Sequence, residues 1–142
     1  MSYALPPLNW GYMVLAAADV NPLGDWYCRV LGFSVEAQGF MPGADAEYVV
    51  LGRHGMKLEI CRRPGAGAVA RPTPPPPHHL DQTGWKVFTL RCPDLAGLGD
   101  WLEEQAADLV WSAHSLAPGI CSTLLRDPEG NLINIFGPEP AA

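Results

Sequence analysis

The chain has 142 residues, 48% hydrophobic and 17% charged, with 9 basic against 15 acidic residues and a net charge of −6. A domain of this size buries about 68–70% of its unfolded surface, so it needs no staples. The acidic balance argues against nucleic-acid binding, since only Arg62 and Arg63 are adjacent. No stretch approaches the ~20 apolar residues of a membrane span, and the opening MSYALPPLNWGYM has no secretory pattern, so the chain is expected to be cytoplasmic.

The 15 Gly and 15 Pro mark many turns. In chain order, residues 10–17 read as a strand. Asn21 and Pro22 are the expected N-cap and first residue of a helix running to about Val30, and strands follow at 34–38, 46–51 and 56–62. Residues 64–83 are dominated by Gly, Ala and Pro, with four consecutive prolines at 74–77, and read as an extended polyproline linker. A strand at 85–92, a helix capped by Asp94 to about Ala106, and strands at 109–113, 120–126 and 131–136 complete the chain. Gly52-Arg53-His54-Gly55 and Asp127-Pro128-Glu129-Gly130 are the expected hairpin turns. Cys28, Cys61, Cys92 and Cys121 form no CxxC pair and read as reduced core thiols.

The two halves are related. DVNPLGDW at 19–26 returns as DLAGLGDW at 94–101, a shift of 75 with five identities in eight positions. Without gaps, the same shift places Leu15 on Leu90, Val49 and Val50 on Leu124 and Leu125, Leu58 on Ile133 and Ile60 on Ile135. The reading is one α+β domain over 1–142 made of two βαβββ modules, 8–63 and 84–138, joined by the linker 64–83.

Trp26-Tyr27 followed by Leu31-Gly32-Phe33, together with Asp127-Pro128-Glu129-Gly130-Asn131, resembles the vicinal oxygen chelate superfamily of glyoxalases, extradiol dioxygenases and bleomycin-resistance proteins. The resemblance implies a curved eight-stranded mixed sheet with a ligand on its concave face and helices on the outer face, and a homodimer. It also implies a divalent metal held from four strand positions, which fall here on Tyr12, Val87, Glu59 and Asn134. Only Glu59 is a good donor for a transition metal: Val87 cannot ligate, Asn134 offers a weak carbonyl, and Tyr12 would have to be a phenolate. The expectation is therefore a site with no metal or other cofactor.

Alternation turns Met13, Leu15, Leu58, Ile60, Phe88, Leu90, Ile133 and Ile135 to the helices. The other face then carries Tyr12, Lys57, Glu59, Thr89, Arg91, Asn134 and Phe136, the candidate ligand-binding set, with Glu59 the candidate catalytic group. Glu59, Lys57 and Arg91 read equally as an internal ion-pair cluster, and Tyr12 and Phe136 as packing. Trp10, Trp85 and Trp111 are candidates for the rim. His54 falls in a turn and His114 after a strand, while His78 and His79 reach the cleft only if the linker folds over it. The first functional reading is a bleomycin-resistance-like protein binding a small, cationic or aromatic compound. The alternatives are a lyase, isomerase or dioxygenase-type enzyme using Glu59 as base or metal ligand, and a structural dimer whose cup is filled by its own side chains.

Overall fold

Asp19 begins the first helix, because its extended backbone leaves the side chain free to accept the amide of Asn21 at 3.1 Å. The expected cap at Asn21 is thus two residues late; Asn21 and Pro22 lie inside the first turn, where a missing N–H costs nothing. The computed structural model describes residues 4–67 and 73–142, so linker positions 68–72 lie outside the described residues. The elements are β1 (Met13–Ala16), α1 (Val20–Leu31), β2 (Ser34–Met41), β3 (Ala46–Arg53), β4 (Met56–Arg62), β5 (Val87–Arg91), α2 (Leu95–Glu104), β6 (Asp108–Ala117), β7 (Ile120–Arg126) and β8 (Leu132–Gly137). As expected, Asp94 caps α2, accepting the amide of Gly97 at 2.9 Å.

The eight strands make two four-stranded mixed sheets, ordered β1-β4-β3-β2 and β5-β8-β7-β6. In each, the first strand runs parallel to the last, and the remaining pairs are antiparallel. The register repeats faithfully at the parallel pair: Val14 lies beside Glu59, and Thr89 beside Asn134. Leu58, Ile60, Ile133 and Ile135 are buried against Leu23, Tyr27, Leu95 and Leu102 of the helices, with Met13, Leu15, Phe88 and Leu90 packed around them. Each fully buried side chain of this kind contributes about 1.5–3 kcal/mol.

The shift of 75 does not hold throughout. Gly52 pairs with Lys57 as Arg126 pairs with Leu132, and Val50 with Glu59 as Leu124 with Asn134, so the second and third strands of the modules are related by 74. Val50 therefore corresponds to Leu124, not to Leu125. One residue is missing after α2, where Ala106 takes the left-handed conformation that Gly32 takes after α1. One is regained in the last hairpin, whose loop spans 127–131, whereas Arg53 and Met56 close a turn of only His54 and Gly55. Both turn residues have positive φ, 47° and 79°, the geometry of a type I′ hairpin, so the turn is tighter than the one expected from Gly52 to Gly55.

Strand limits also move. β1 and β5 are shorter than expected, leaving Trp10, Tyr12 and Trp85 outside them, whereas β6 runs on to Ala117 and takes in His114. From Thr73 onward the linker is not an extended rod: His78–Leu80 forms a 3-10 turn, and Arg126 donates to the carbonyl of Thr73 at 2.7 Å. All four cysteines are free thiols.

Candidate functional site

Side chains two apart on a strand share a face, so the face turned from the helices carries Glu59 on β4 and Asn134 on β8. Each lies between its parallel neighbour, Val14 or Thr89, and its antiparallel neighbour, Val50 or Leu124. Glu59 is only 8% exposed, and its Oε1 accepts the thiol of Cys61 at 3.0 Å. Burial, then the adjacent Glu59, pushes the Cys61 thiol up to about 12, so the sulfur stays protonated and donates. Asn134 Oδ1 is buried with no partner among the described residues. Two acceptors thus occupy equivalent strand positions.

The remaining candidates are spread along the edges. Lys57 pairs with Glu36 at 3.2 Å and sits 5.8 Å from the centre of the Tyr12 ring. Its ion pair is therefore with a β2 residue, and the expected Lys57–Glu59–Arg91 cluster is not formed. Glu36 reaches Lys57 across Gly52, where a Cβ would collide with its carboxylate. Tyr12 is 49% exposed and lies just before β1. Thr89 is exposed, and Phe136 is half-buried beside Arg91 and Ser122.

Among the histidines, His54 is in the β3–β4 turn, and His78 pairs with Asp81 at 3.1 Å. His79 Nδ1 is buried without a partner among the described residues. His114, expected to follow a strand, pairs with Ser122 within the sheet and lies against Trp111, the ring centres 4.8 Å apart. Trp111 is held by a 2.9 Å bond to Ser122 Oγ, while Trp10 and Trp85 are exposed.

Two clefts lie along the seam between the modules. The smaller, about 220 Å³, is lined by Trp10, Met13, Lys57, Phe88 and Thr89, among others. The larger, about 440 Å³, has walls from the end of α1, the β3–β4 turn, the end of β5, and α2, and includes Arg91. Both contain Phe33, Met56 and Leu90, so they adjoin. Tyr12, Glu59, Asn134 and Phe136 line neither. Phe33, Leu98 and Trp101 also line the larger cleft; the sequence marked them only through the Leu31-Gly32-Phe33 motif, the repeat and an apolar helix face, none of which signals a cleft.

The four metal-type positions supply one buried carboxylate, one amide, one exposed phenol and an alkyl group, with no imidazole. The neighbouring Cys61 is held as a thiol, and among the described residues no three His, Cys, Asp or Glu side chains gather to hold a metal. This donor set does not fit the transition-metal centre that the resemblance implied.

Two βαβββ units, each with a polar position on its last strand turned from the helices, define a paired-module fold. The Glyoxalase/Bleomycin resistance protein/Dioxygenase superfamily model matches residues 10–135, and the chain belongs to that superfamily. Among solved structures it is similar to a glyoxalase/bleomycin resistance protein/dioxygenase domain from Frankia sp. EAN1pec (TM-score 0.74, 12% identity, covering 96% of each chain). It is also similar to a glyoxalase family protein from Bacillus cereus (0.74, 15%, covering 94% of this chain and 96% of that one). A third likeness is to the trypanothione-dependent glyoxalase I of Leishmania major (0.67, 15%, covering 89% and 84%). No functionally curated protein matches the chain.

Proposed function

We propose that this protein binds a small organic molecule on the face carrying Glu59 and Asn134, without a metal or other cofactor. The observation behind this reading is the pair of acceptors at equivalent positions: a buried carboxylate with a thiol as partner, and a buried amide oxygen with none. An unpaired buried polar atom is costly, about 1–3 kcal/mol, and a ligand offering N–H or O–H groups relieves that cost. A cationic or hydroxylated aromatic compound has the right chemistry.

Base catalysis by Glu59 is less well supported. An enolate needs an electrophile beside the base. Lys57 is engaged with Glu36, and Arg91 lines the larger seam cleft. A homodimer belongs to the proposal, because edge strand β2 is exposed along its length, with Val35, Phe40 and Met41 uncovered.

The test is elemental analysis of protein purified without chelators, followed by titration with a panel of aromatic amines. The expected result is no stoichiometric metal, and saturable binding weakened about tenfold or more in Glu59→Gln, as for loss of a charge-assisted hydrogen bond. One equivalent of nickel, manganese or iron would overturn it, and so would binding indifferent to Glu59.

A further inference from the structure

The duplication supplies an internal comparison between the two seams where one module meets the other. At the first, the Asp127–Asn131 loop closes onto module one. Glu129 Oε1 accepts the amide of Ala18 at 2.6 Å, and Tyr27 donates to Asp127 Oδ2 at 2.9 Å. Trp26 there is 8% exposed and Leu23 is buried.

At the second seam the hydrogen-bonding groups are lost. Ala18 is replaced by Pro93, which has no N–H to give, and Tyr27 by Leu102, which has no hydroxyl. The facing hairpin is one residue shorter and carries no counterpart of the Asp127 and Glu129 contacts. Trp101, the counterpart of Trp26, is 44% exposed and turns its Nε1 to the carbonyl of Val30 at 2.8 Å, closing the end of α1 instead of the seam. The result is the cleft of about 440 Å³, within the range of about 300–1,000 Å³ typical of small-molecule sites.

Its walls are chemically one-sided. Phe33, Met56, Leu90, Leu98, Trp101 and Ile135 supply apolar and aromatic surface, and among the described residues the charged lining is Arg53 and Arg91. Two cations stand there in a chain of net charge −6. Arg53 is laid across Gly32, whose φ of 72° and missing side chain make room for it, and its guanidinium donates to the Gly32 carbonyl at 2.9 Å. Arg91 is exposed, and its counterpart at the closed seam is Ala16, so a cation occurs on this strand only where the seam is open.

We infer that the open seam is a second binding site, for a small amphipathic organic anion. An aromatic or branched aliphatic carboxylate would lie with its apolar body against Phe33, Leu98 and Trp101 and its charge toward Arg91 and Arg53. This site lies at the open seam and is lined by neither Glu59 nor Asn134, so it does not depend on the reading given to Glu59.

The test uses 2-naphthoate as an anionic aromatic probe and its methyl ester as the uncharged counterpart, neither of which offers an N–H or O–H to the Glu59 face, titrated into the full chain. Expected are one saturable equivalent of the anion, binding of the uncharged compound about tenfold weaker, and an approximately tenfold loss for the anion alone in Arg91→Gln, as for removal of one charge-assisted contact. The indole N–H resonance of Trp101, assigned with Trp101→Phe, should move on binding, and Glu59→Gln should leave the titration unchanged. Equal affinity for the two probes, or indifference to both Arg91→Gln and Arg53→Gln, would overturn the inference. So would a dimer whose formation competes with the probe, because a second copy would then be the occupant. Near-ultraviolet circular dichroism of each variant checks that the fold is retained.

Discussion

Tyr27 shows how much one side chain can do between modules. It is fully buried, packs edge-on to Trp26 and Phe33, and donates to Asp127. Burial, then the neighbouring carboxylate, pushes its phenol far above the usual range, so it remains a donor. Asp127 also accepts the amides of Glu129 and Asn131 and the Asn131 side chain, which makes the loop rigid enough to be a partner. Tyr27→Phe should cost about 1.5–3 kcal/mol in urea unfolding, the range for a hydrogen bond to a charged group; a change below about 0.5 kcal/mol would show that the bond adds nothing. Cys61 gives a pH prediction. Its ordinary value of 9.0 rises to about 12 in the fold, so between those limits the unfolded chain loses a proton that the folded chain keeps. Stability should be unaffected by this group below pH 9 and should fall as pH climbs toward about 12. Cys61→Ala should flatten that part of the curve. At this scale the sequence was only partly readable: the family resemblance and the shift of 75 pointed to Glu59 and Asn134 and strand alternation to their face, but the Glu36–Lys57 pair depends on a β2 bulge between Val35 and Ala37 that no local pattern announces.

At the scale of elements, caps and turns were the readable parts, because their chemistry is local. Asp94 and the Asp127 turn follow from residue type and spacing; the Asn21 cap was misplaced because Asp19 is an equally good acceptor two residues earlier. Asp19→Ala should therefore destabilise by about 1 kcal/mol, while Asn21→Ala should cost much less, a difference that thermal unfolding of the two variants would read directly. His54 stands at a positive φ of 47° where type I′ turns favour Asn or Gly. His54→Asn should be neutral or stabilising by a few tenths of a kcal/mol, and a loss above about 1 kcal/mol would mean that the imidazole makes contacts beyond the turn. The length of β6 was harder to foresee, since three register shifts let irregular residues such as Ala113, with φ of 46°, continue in the sheet.

At the scale of the molecule, the repeat made the fold legible, and its imperfections made the seams unequal. Identity matching aligned the halves at the helices and the parallel strands but passed over two compensating one-residue changes, because the count returns to 75 before the last strand. The contacts that distinguish the seams are long-range, joining Ala18 to Glu129 and Tyr27 to Asp127, and lie beyond any sequence window. These bonds also imply that the halves are not separable: residues 1–67 expressed alone would leave the Tyr27 hydroxyl without its acceptor and open the part of the core cluster that the two modules share. That fragment should show no cooperative unfolding transition, and a sharp one would contradict the dependence.

Pro93 carries a wider consequence. A single residue unable to donate removes the anchor of a latch, while the hydrophobic cluster behind it keeps Leu95, Leu102 and Ile135 buried. A duplicated protein can thus acquire a cavity at its joint without thinning its interior, leaving the sealed joint as its own untreated control. Restoring the N–H by Pro93→Ala, together with a five-residue Asp-Pro-Glu-Gly-Asn loop in place of 53–56, should give the second joint the bond that Ala18 makes to Glu129 at the first.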